Sequence, residues 1–104
     1  MHADDEIPTA YTGHEMLDAM GDKIGVVEDV IYDVETQEPR WAVVKRGMLH
    51  PRPTIVPLKF GYRTPDGAIV VPYDKRLVST APKVGRDHVL TDDNERELRS
   101  HYGS

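Results

Sequence analysis

The sequence contains no cysteine, a single tryptophan and a single phenylalanine. Without cysteine the chain can form neither a disulfide nor a thiolate metal site. No apolar run approaches the roughly 20 residues that a membrane-spanning helix requires. The first ten residues, MHADDEIPTA, are acidic, which is typical of neither a secretory signal nor a transit peptide. We therefore expect a soluble, cytoplasmic protein with no membrane insertion.

The length and composition predict a single domain with a small core. The chain has 104 residues, of which 38% are hydrophobic and 30% are charged, and a chain of this size buries a limited share of its surface. We expect residues 1–12 to be a leader, residues 13–80 a β-barrel, and residues 81–104 a loop and helical tail of the same domain. A second copy would cover apolar surface that a small core leaves exposed, so we also expect a homodimer.

Charge is distributed unevenly along the chain, whose formal net charge is −5. Residues 1–38 hold eleven acids and one base, residues 39–86 hold ten bases and two acids, and residues 87–104 hold five acids and two bases. Opposite charges in successive segments can pair between adjacent strands of one sheet. They can also pair across two subunits, where they would favour one docking register. The sequence leaves both arrangements open.

Short β-type segments separated by turn residues dominate the chain. The stretches GDK and TPDG predict tight turns, and RWAVVKR has the strongest β character. Pro57 places its strand at a sheet edge or a bulge. The pattern predicts a mainly β fold of five to six strands, a small barrel or a sandwich, with a C-terminal α-helix. The predicted strands are residues 15–20, 24–34, 40–46, 54–58, 59–64 and 68–72, with one helical turn at residues 73–79.

The C-terminal helix is predicted at residues 91–102. Acids lie in its first turn and bases in its last, as the helix dipole favours, and Thr91 or Asp92 can act as the N-cap. Its apolar face consists of Leu98 and Tyr102 alone. We therefore expect this helix to dock on the barrel without building its core.

Two adjacent acids, Glu28 and Asp29, interrupt the apolar strand of residues 24–34. Alternate residues of a strand face the same side, and neither phase of this strand is apolar throughout. A bend or bulge at the acid pair would let the two halves of the strand line different walls of a small barrel, with both carboxylates in water. Adjacent strand residues point to opposite faces, so the pair cannot act together on one substrate. We therefore predict a structural role.

Several segments, taken in order, resemble one small β-barrel family. They are GDKIGVVEDVIYDVETQEPRWAVVKRG, TIVPL, AIVVP and LTDDNERELRSHYG. Through these turns and apolar positions, residues 12–103 resemble the PRC-barrel, the fold of the cytoplasmic domain in the photosynthetic reaction-centre H subunit and of the C-terminus of a ribosome-maturation factor. The resemblance implies a barrel without a shared active site, which docks to other proteins and sometimes pairs with itself.

The residues themselves give no stronger case for catalysis. The five histidines have no metal-ligand spacing, the serines lack a nucleophile-elbow context, and the glycines form no phosphate-binding loop. We expect no enzyme activity, no catalytic residue, no cofactor and no metal.

Five apolar side chains are candidates for an interface. Trp41 can belong to the core or to an interface, where tryptophan is enriched. Met48 and Leu49 lie on a proline-stiffened segment, where they are hard to bury in a small core. Phe60 and Tyr62 are aromatic residues within the basic middle of the chain. We predict an adaptor module that self-associates as a dimer and docks to an unidentified protein partner through these residues.

The alternative function is RNA binding through residues 40–63. A small barrel with a basic face can bind nucleic acid, and Phe60 and Tyr62 could stack on bases. The overall acidity of the chain argues against it, because the acidic first third would lie beside that face. The bases in this segment are Arg40, Lys45, Arg46, Arg52, Lys59 and Arg63.

Overall fold

The computed structural model describes residues 11–47, 52–83 and 89–103. Over these residues the chain forms six strands and two helices, in the order that the sequence predicts. The first strand and the last two strands are shorter than predicted. The elements are β1 (Glu15–Leu17), β2 (Lys23–Tyr32), β3 (Pro39–Lys45), β4 (Thr54–Pro57), β5 (Tyr62–Arg63), β6 (Ile69–Val70), α1 (Lys75–Ser79) and α2 (Asp92–Tyr102).

The six strands belong to one sheet, in the order β4-β3-β2-β1-β6-β5. Neighbouring strands are antiparallel except β1 and β6, which run parallel. β4 and β5 lie at opposite edges of the sheet, although only residues 58–61 join them. Five residue steps reach at most about 18 Å, whereas five interstrand spacings of a flat sheet span about 24 Å. The sheet must therefore curl and bring its two edges toward each other.

The curled sheet does not close into the barrel that the sequence predicts. Among the described residues no ladder joins β4 to β5, so the sheet keeps two edges. The chain turns away directly after β4, where the amide of Gly61 donates to the Leu58 carbonyl at 3.0 Å. The strand that follows, β5, has two residues, which leaves little backbone for a second ladder. The fold is mainly β, with an open sheet and a C-terminal helix.

A β-bulge lies at the acid pair of β2, as the sequence predicts. The register with β3 shifts between Val27 and Asp29, so Glu28 is an extra residue on β2. Buried side chains step from Val27 to Val30 across the bulge, in place of simple alternation. Glu28 and Asp29 are both exposed. The strand therefore bends at its two acids and keeps them at the surface.

The core is formed by the central strands and the two helices. β3 buries four consecutive residues, which is typical of a strand covered on both faces. α1 packs on β2 and β4, and the hydroxyl of Thr54 donates to the Val78 carbonyl at 3.2 Å. The apolar side chains with the least exposure are Met16, Ile24, Val27, Trp41, Ala42, Val43, Val44, Ile55, Val56, Ile69, Val71, Val78 and Leu98.

The C-terminal helix α2 builds part of the core, which corrects the prediction that it docks outside. Thr91 is the N-cap and accepts a hydrogen bond from the Asn94 amide at 3.0 Å, and Gly103 ends the helix in the left-handed conformation. Leu98 is fully buried and Tyr102 is 7% exposed. Residues four apart lie on one helix face, so two large side chains are enough to anchor this helix.

The hydroxyl of Tyr102 donates a hydrogen bond to the Ile55 carbonyl at 2.7 Å. β4 is an edge strand, and the Leu58 amide donates to the Arg40 carbonyl. By the alternation of antiparallel ladders, Ile55 and Pro57 direct their main-chain groups away from β3. Tyr102 therefore gives the Ile55 carbonyl a hydrogen-bond donor at the sheet edge. Pro57 lies at the same edge and has no N–H group that would need an acceptor.

Tyr102→Phe should lower the free energy of unfolding by about 1–2 kcal/mol, because the buried Ile55 carbonyl loses its donor while the ring remains. Urea unfolding at neutral pH measures this change. Tyr62→Phe is the matched control, since the Tyr62 side chain is 62% exposed, and it should change stability by less than about 0.5 kcal/mol. Equal losses for the two variants would contradict the assignment.

Candidate interaction surface

Asp18, in the turn between β1 and β2, is a buried carboxylate with 2% exposure. One of its oxygens accepts hydrogen bonds from the amides of Met20 and Asp22, each at 2.9 Å. The other oxygen accepts from the Lys75 amide at 3.0 Å. The carboxylate therefore ties the β1–β2 turn to the first residue of α1.

The environment of Asp18 keeps it ionised. Burial alone raises the pKa of its carboxyl, but hydrogen bonds from the amides of Asp22, Lys75 and Met20 outweigh burial, and the pKa lies below its ordinary value. Since both oxygens are occupied by amides, this carboxylate anchors the fold and offers no proton for acid–base chemistry near neutral pH. Across the described ranges, no cluster of three His, Asp or Glu residues could hold a metal ion.

The five residues predicted for an interface lie in different places. Trp41 on β3 is 3% exposed and belongs to the core. Met48 and Leu49 lie outside the described residues. Phe60 and Tyr62 are 72% and 62% exposed, in the turn before β5 and on β5 itself. The structure therefore places two of the five side chains in solvent at one edge of the sheet.

Phe60 has an unusual backbone conformation for a bulky residue. Its φ angle is 69°, in the left-handed region. The neighbouring Gly61 occupies the tighter position of the turn, where an added Cβ would lie 3.2 Å from the Leu58 carbonyl oxygen. The Phe60 ring points into solvent, and the Lys59 ammonium lies 5.2 Å from its centroid, which is a cation–π contact.

A groove of about 460 Å³ opens at the side of Lys59. One wall comes from the β2–β3 hairpin and the start of β3, where Glu38 carries a negative charge. The residues after β4 also line the groove, beside the start of β3, where the Leu58 amide donates to the Arg40 carbonyl. Lys59 carries a positive charge there. The groove is lined by Tyr11, Asp33, Thr36, Glu38, Pro39, Arg40, Leu58 and Lys59.

The β2–β3 hairpin loop gives the groove its acidic side. Asp33 accepts hydrogen bonds from the amides of Thr36 at 3.0 Å and Glu35 at 2.8 Å, and it pairs with Arg40. These two amides, together with the guanidinium of Arg40, hold the pKa of Asp33 below its ordinary value. The ordered loop displays Val34, which is 86% exposed.

Part of the charge imbalance is paired within one chain. The Arg40 side chain reaches Glu95 of α2 at 3.5 Å, and Arg99 approaches the same carboxylate at 3.0 Å. Glu15 and Lys23 pair at 3.2 Å between β1 and β2. The first arrangement that the charge pattern left open, pairing between adjacent elements of one fold, is therefore present.

The comparison with known families agrees with this architecture. The family model described as the PRC-barrel domain matches residues 12–98. The chain belongs to the PRC-barrel domain family. This domain is in general non-catalytic. No curated protein matches the chain. Within the described ranges, neither helix of this PRC-barrel protein has the length and apolar character that crossing a membrane would require.

The basic segment of the PRC-barrel protein divides into two groups. Arg40 and Arg46 lie at opposite ends of β3, about 20 Å apart along the strand. Arg40 lines the groove with Lys59. At the other end, burial together with the nearby charges of Arg46 and Arg52 lowers the pKa of Lys83. Arg40 and Lys59 near the start of β3 are therefore separated along the strand from Arg46, Arg52 and Lys83 at its other end.

Sequence reasoning missed Val34, Asp18 and the role of Lys59 in the groove. A local signal existed for Val34, because it follows Asp33, a residue whose side chain commonly closes turns by accepting nearby amides. No local signal existed for Asp18, since Lys75 is 57 positions away. Lys59 could be assigned only once the groove was known, because other residues of its lining come from the β2–β3 hairpin.

Proposed function

We propose that this PRC-barrel protein is a non-enzymatic interaction module, which self-associates as a homodimer and docks to a partner protein as an adaptor. The observation that carries the proposal is Phe60, a large apolar side chain that is 72% exposed on a left-handed backbone. Both properties are unfavourable for the isolated fold. Strained and exposed residues are concentrated at functional sites.

In an isolated chain, the backbone conformation of Phe60 costs free energy and its exposed ring does not offset that cost. A non-glycine residue in the left-handed region costs about 1–2 kcal/mol. An exposed phenylalanine gains no burial in return, and the cation–π contact with Lys59 offers only about 0.5–1 kcal/mol at an exposed site. Tyr62 adds a second exposed aromatic on the adjacent strand. Aromatic residues are enriched in interfaces, where their burial supplies much of the binding energy.

Sedimentation velocity at micromolar concentrations tests self-association directly. We expect the wild type to have twice the mass of one chain, and the variant Phe60→Ser/Tyr62→Ser to be a monomer. Met20→Ser is the matched control, because Met20 is 82% exposed in the β1–β2 turn, and it should remain a dimer. A wild type that stays monomeric throughout would overturn the self-association half of the proposal.

Phe60→Gly should separate function from stability. Glycine adopts a positive φ without strain, but it adds freedom to the unfolded chain. We expect the free energy of unfolding to stay within about 1 kcal/mol of the wild type, with the dimer lost. The measurement uses chemical unfolding at a concentration where the wild type is a monomer, since dimer formation adds to apparent stability. A decrease in the free energy of unfolding well above about 1 kcal/mol would show that Phe60 serves mainly to stabilise the fold.

The adaptor half of the proposal is tested by affinity capture with a purified candidate partner. Binding should be retained by Met20→Ser and weakened in Phe60→Ser/Tyr62→Ser. A partner that binds all three proteins equally would show that docking uses another surface.

RNA binding is the second candidate, and the proximity of Arg46, Arg52 and Lys83 is the observation that favours it. Neutralising phosphates would relieve the repulsion among these cations, so retention of mixed-sequence RNA should fall steeply with salt. The division of the basic segment into two groups argues for the interaction module instead. No retention at low salt would remove the RNA hypothesis.

A further inference from the structure

We infer that the dimer forms by twofold pairing of the groove between the β2–β3 hairpin and the turn after β4, with Glu38 of each copy facing Lys59 of the other. The inference rests on the proposed self-association and assigns it a surface. The groove has an acidic lip at Glu38, in the segment that joins the hairpin loop to β3, and a basic lip at Lys59, directly after Leu58.

Glu38 and Lys59 line one groove but do not pair with each other. Both residues line the cavity, and Glu38 and Lys59 are exposed. Among the ion pairs of the described residues, neither residue takes part in one within 4.0 Å, and Lys59 has the Phe60 ring as its neighbour. Two opposite charges thus face the solvent across an open groove.

The other charged residues that line the groove, Asp33 and Arg40, already have partners within the chain. Arg40 pairs with Asp33 and Glu95, and Asp33 also accepts two amides of its own loop. These groups hold the hairpin in place and contribute little net charge to a partner. Lys59 and Glu38 are therefore the charges that set the electrostatic preference of this surface.

The arrangement of these charges favours a second copy of the chain as the occupant of the groove. A partner of uniform charge would be attracted by one lip and repelled by the other. A twofold axis through the groove reverses the lips, so each acidic lip meets a basic one, and the same contact forms twice. Exposed apolar side chains lie close in sequence to each lip: Val34, at 86% exposure, is in the hairpin loop before Glu38, and Phe60, at 72%, directly follows Lys59.

The test is a charge exchange between two variants. In a Lys59→Glu homodimer, two acids face each other in both contacts. In a Glu38→Lys homodimer, two bases face each other in both contacts. We expect each to weaken its own dimer by about tenfold or more. Mixed together, the two variants meet with opposite charges in both contacts, so a heterodimer of near wild-type affinity should form. Sedimentation velocity with one variant fluorescently labelled measures all three equilibria.

Control variants make the same charge changes at exposed residues that do not line the groove. Arg96→Glu and Glu97→Lys alter exposed residues of α2 and should leave the wild-type dimer unchanged. Unfolding curves for all four variants report whether the fold is retained. The wild-type dimer should also weaken as salt rises, because exposed charge pairs are screened.

The possible outcomes distinguish the assigned surface from self-association itself. A wild-type dimer whose charge variants behave like the controls would overturn this surface and leave self-association standing. Loss of both homodimers without a heterodimer in the mixture would overturn the pairing of Glu38 with Lys59. A wild type that is monomeric at every concentration would remove self-association and this inference together.

Discussion

Gly25→Ala is expected to destabilise the protein by about 3 kcal/mol or more, because the added methyl group collides with the neighbouring strand. An added Cβ would lie 2.3 Å from the Lys45 carbonyl oxygen and 2.8 Å from a methyl carbon of Val44. The first of these atoms belongs to the backbone of β3 and cannot rotate away. Because β2 lies between β1 and β3, separating it from β3 disturbs the centre of the sheet.

The measurement is chemical or thermal unfolding, compared with Gly21→Ala. Gly21 has a φ angle of 90° and open space where an added Cβ would lie, so its substitution carries a backbone penalty of about 1–2 kcal/mol and no collision. A Gly25→Ala variant as stable as Gly21→Ala would show that the sheet can widen at low cost, against the close approach of β2 and β3.

Removing the carboxylate of Asp18 is expected to have the next largest effect. Asp18→Ala leaves three amides without their acceptor, those of Met20, Asp22 and Lys75. Buried unsatisfied amides are costly, so we expect a loss of about 3 kcal/mol in unfolding free energy. Asp18→Asn keeps one acceptor oxygen and the side-chain volume, and should lose about 2 kcal/mol.

The contribution of Asp18 should depend on pH. The folded protein holds the pKa of this carboxyl below its ordinary value, so the ionised form favours folding. The contribution is complete above the unfolded pKa of about 3.9 and fades as the pH falls through the lower folded value. The stability difference between wild type and Asp18→Asn should therefore be constant near neutral pH and narrow below about pH 4.

Asp93→Asn is the control for this pH series. Asp93 is an exposed acid whose side chain is 85% accessible in its pair with Arg96, and exposed ion pairs contribute about 0–1 kcal/mol. Its removal should leave the curve of stability against pH nearly parallel to that of the wild type. A difference for Asp18→Asn that persists unchanged into acid would mean that the carboxylate is not the group that titrates.

The bulge in β2 shows how far local pattern can predict this fold. Neither phase of the strand is apolar throughout, and an interruption by Glu28 and Asp29 is sufficient to predict where the register breaks. The barrel closure could not be predicted in the same way. Whether the β4 edge pairs with β5 depends on the turn through Phe60 and Gly61, and a left-handed phenylalanine gives no sign in the sequence.

The surface shows the same division. Sequence reasoning selected Phe60 and Tyr62, which are exposed, and also Trp41, which is buried. A tryptophan on a strand can lie in the core or at the surface, because its burial depends on which elements pack against that face of the strand. Likewise, the apolar face of α2 has few residues and predicts a helix outside the core. The helix is nevertheless anchored in the core, because the Tyr102 hydroxyl donates to the Ile55 carbonyl, 47 residues away in sequence.

The sequence by itself determined the order of strands and turns, the bulge at the acid pair, the capped terminal helix and the family. These features follow from the spacing of neighbouring residues, which a linear chain displays directly. Only the tertiary structure decided that Asp18 is an anchor for α1, that the basic segment is divided, and that Glu38 and Lys59 line one groove. Such features depend on contacts between distant segments, and those contacts exist only once the sheet has curled.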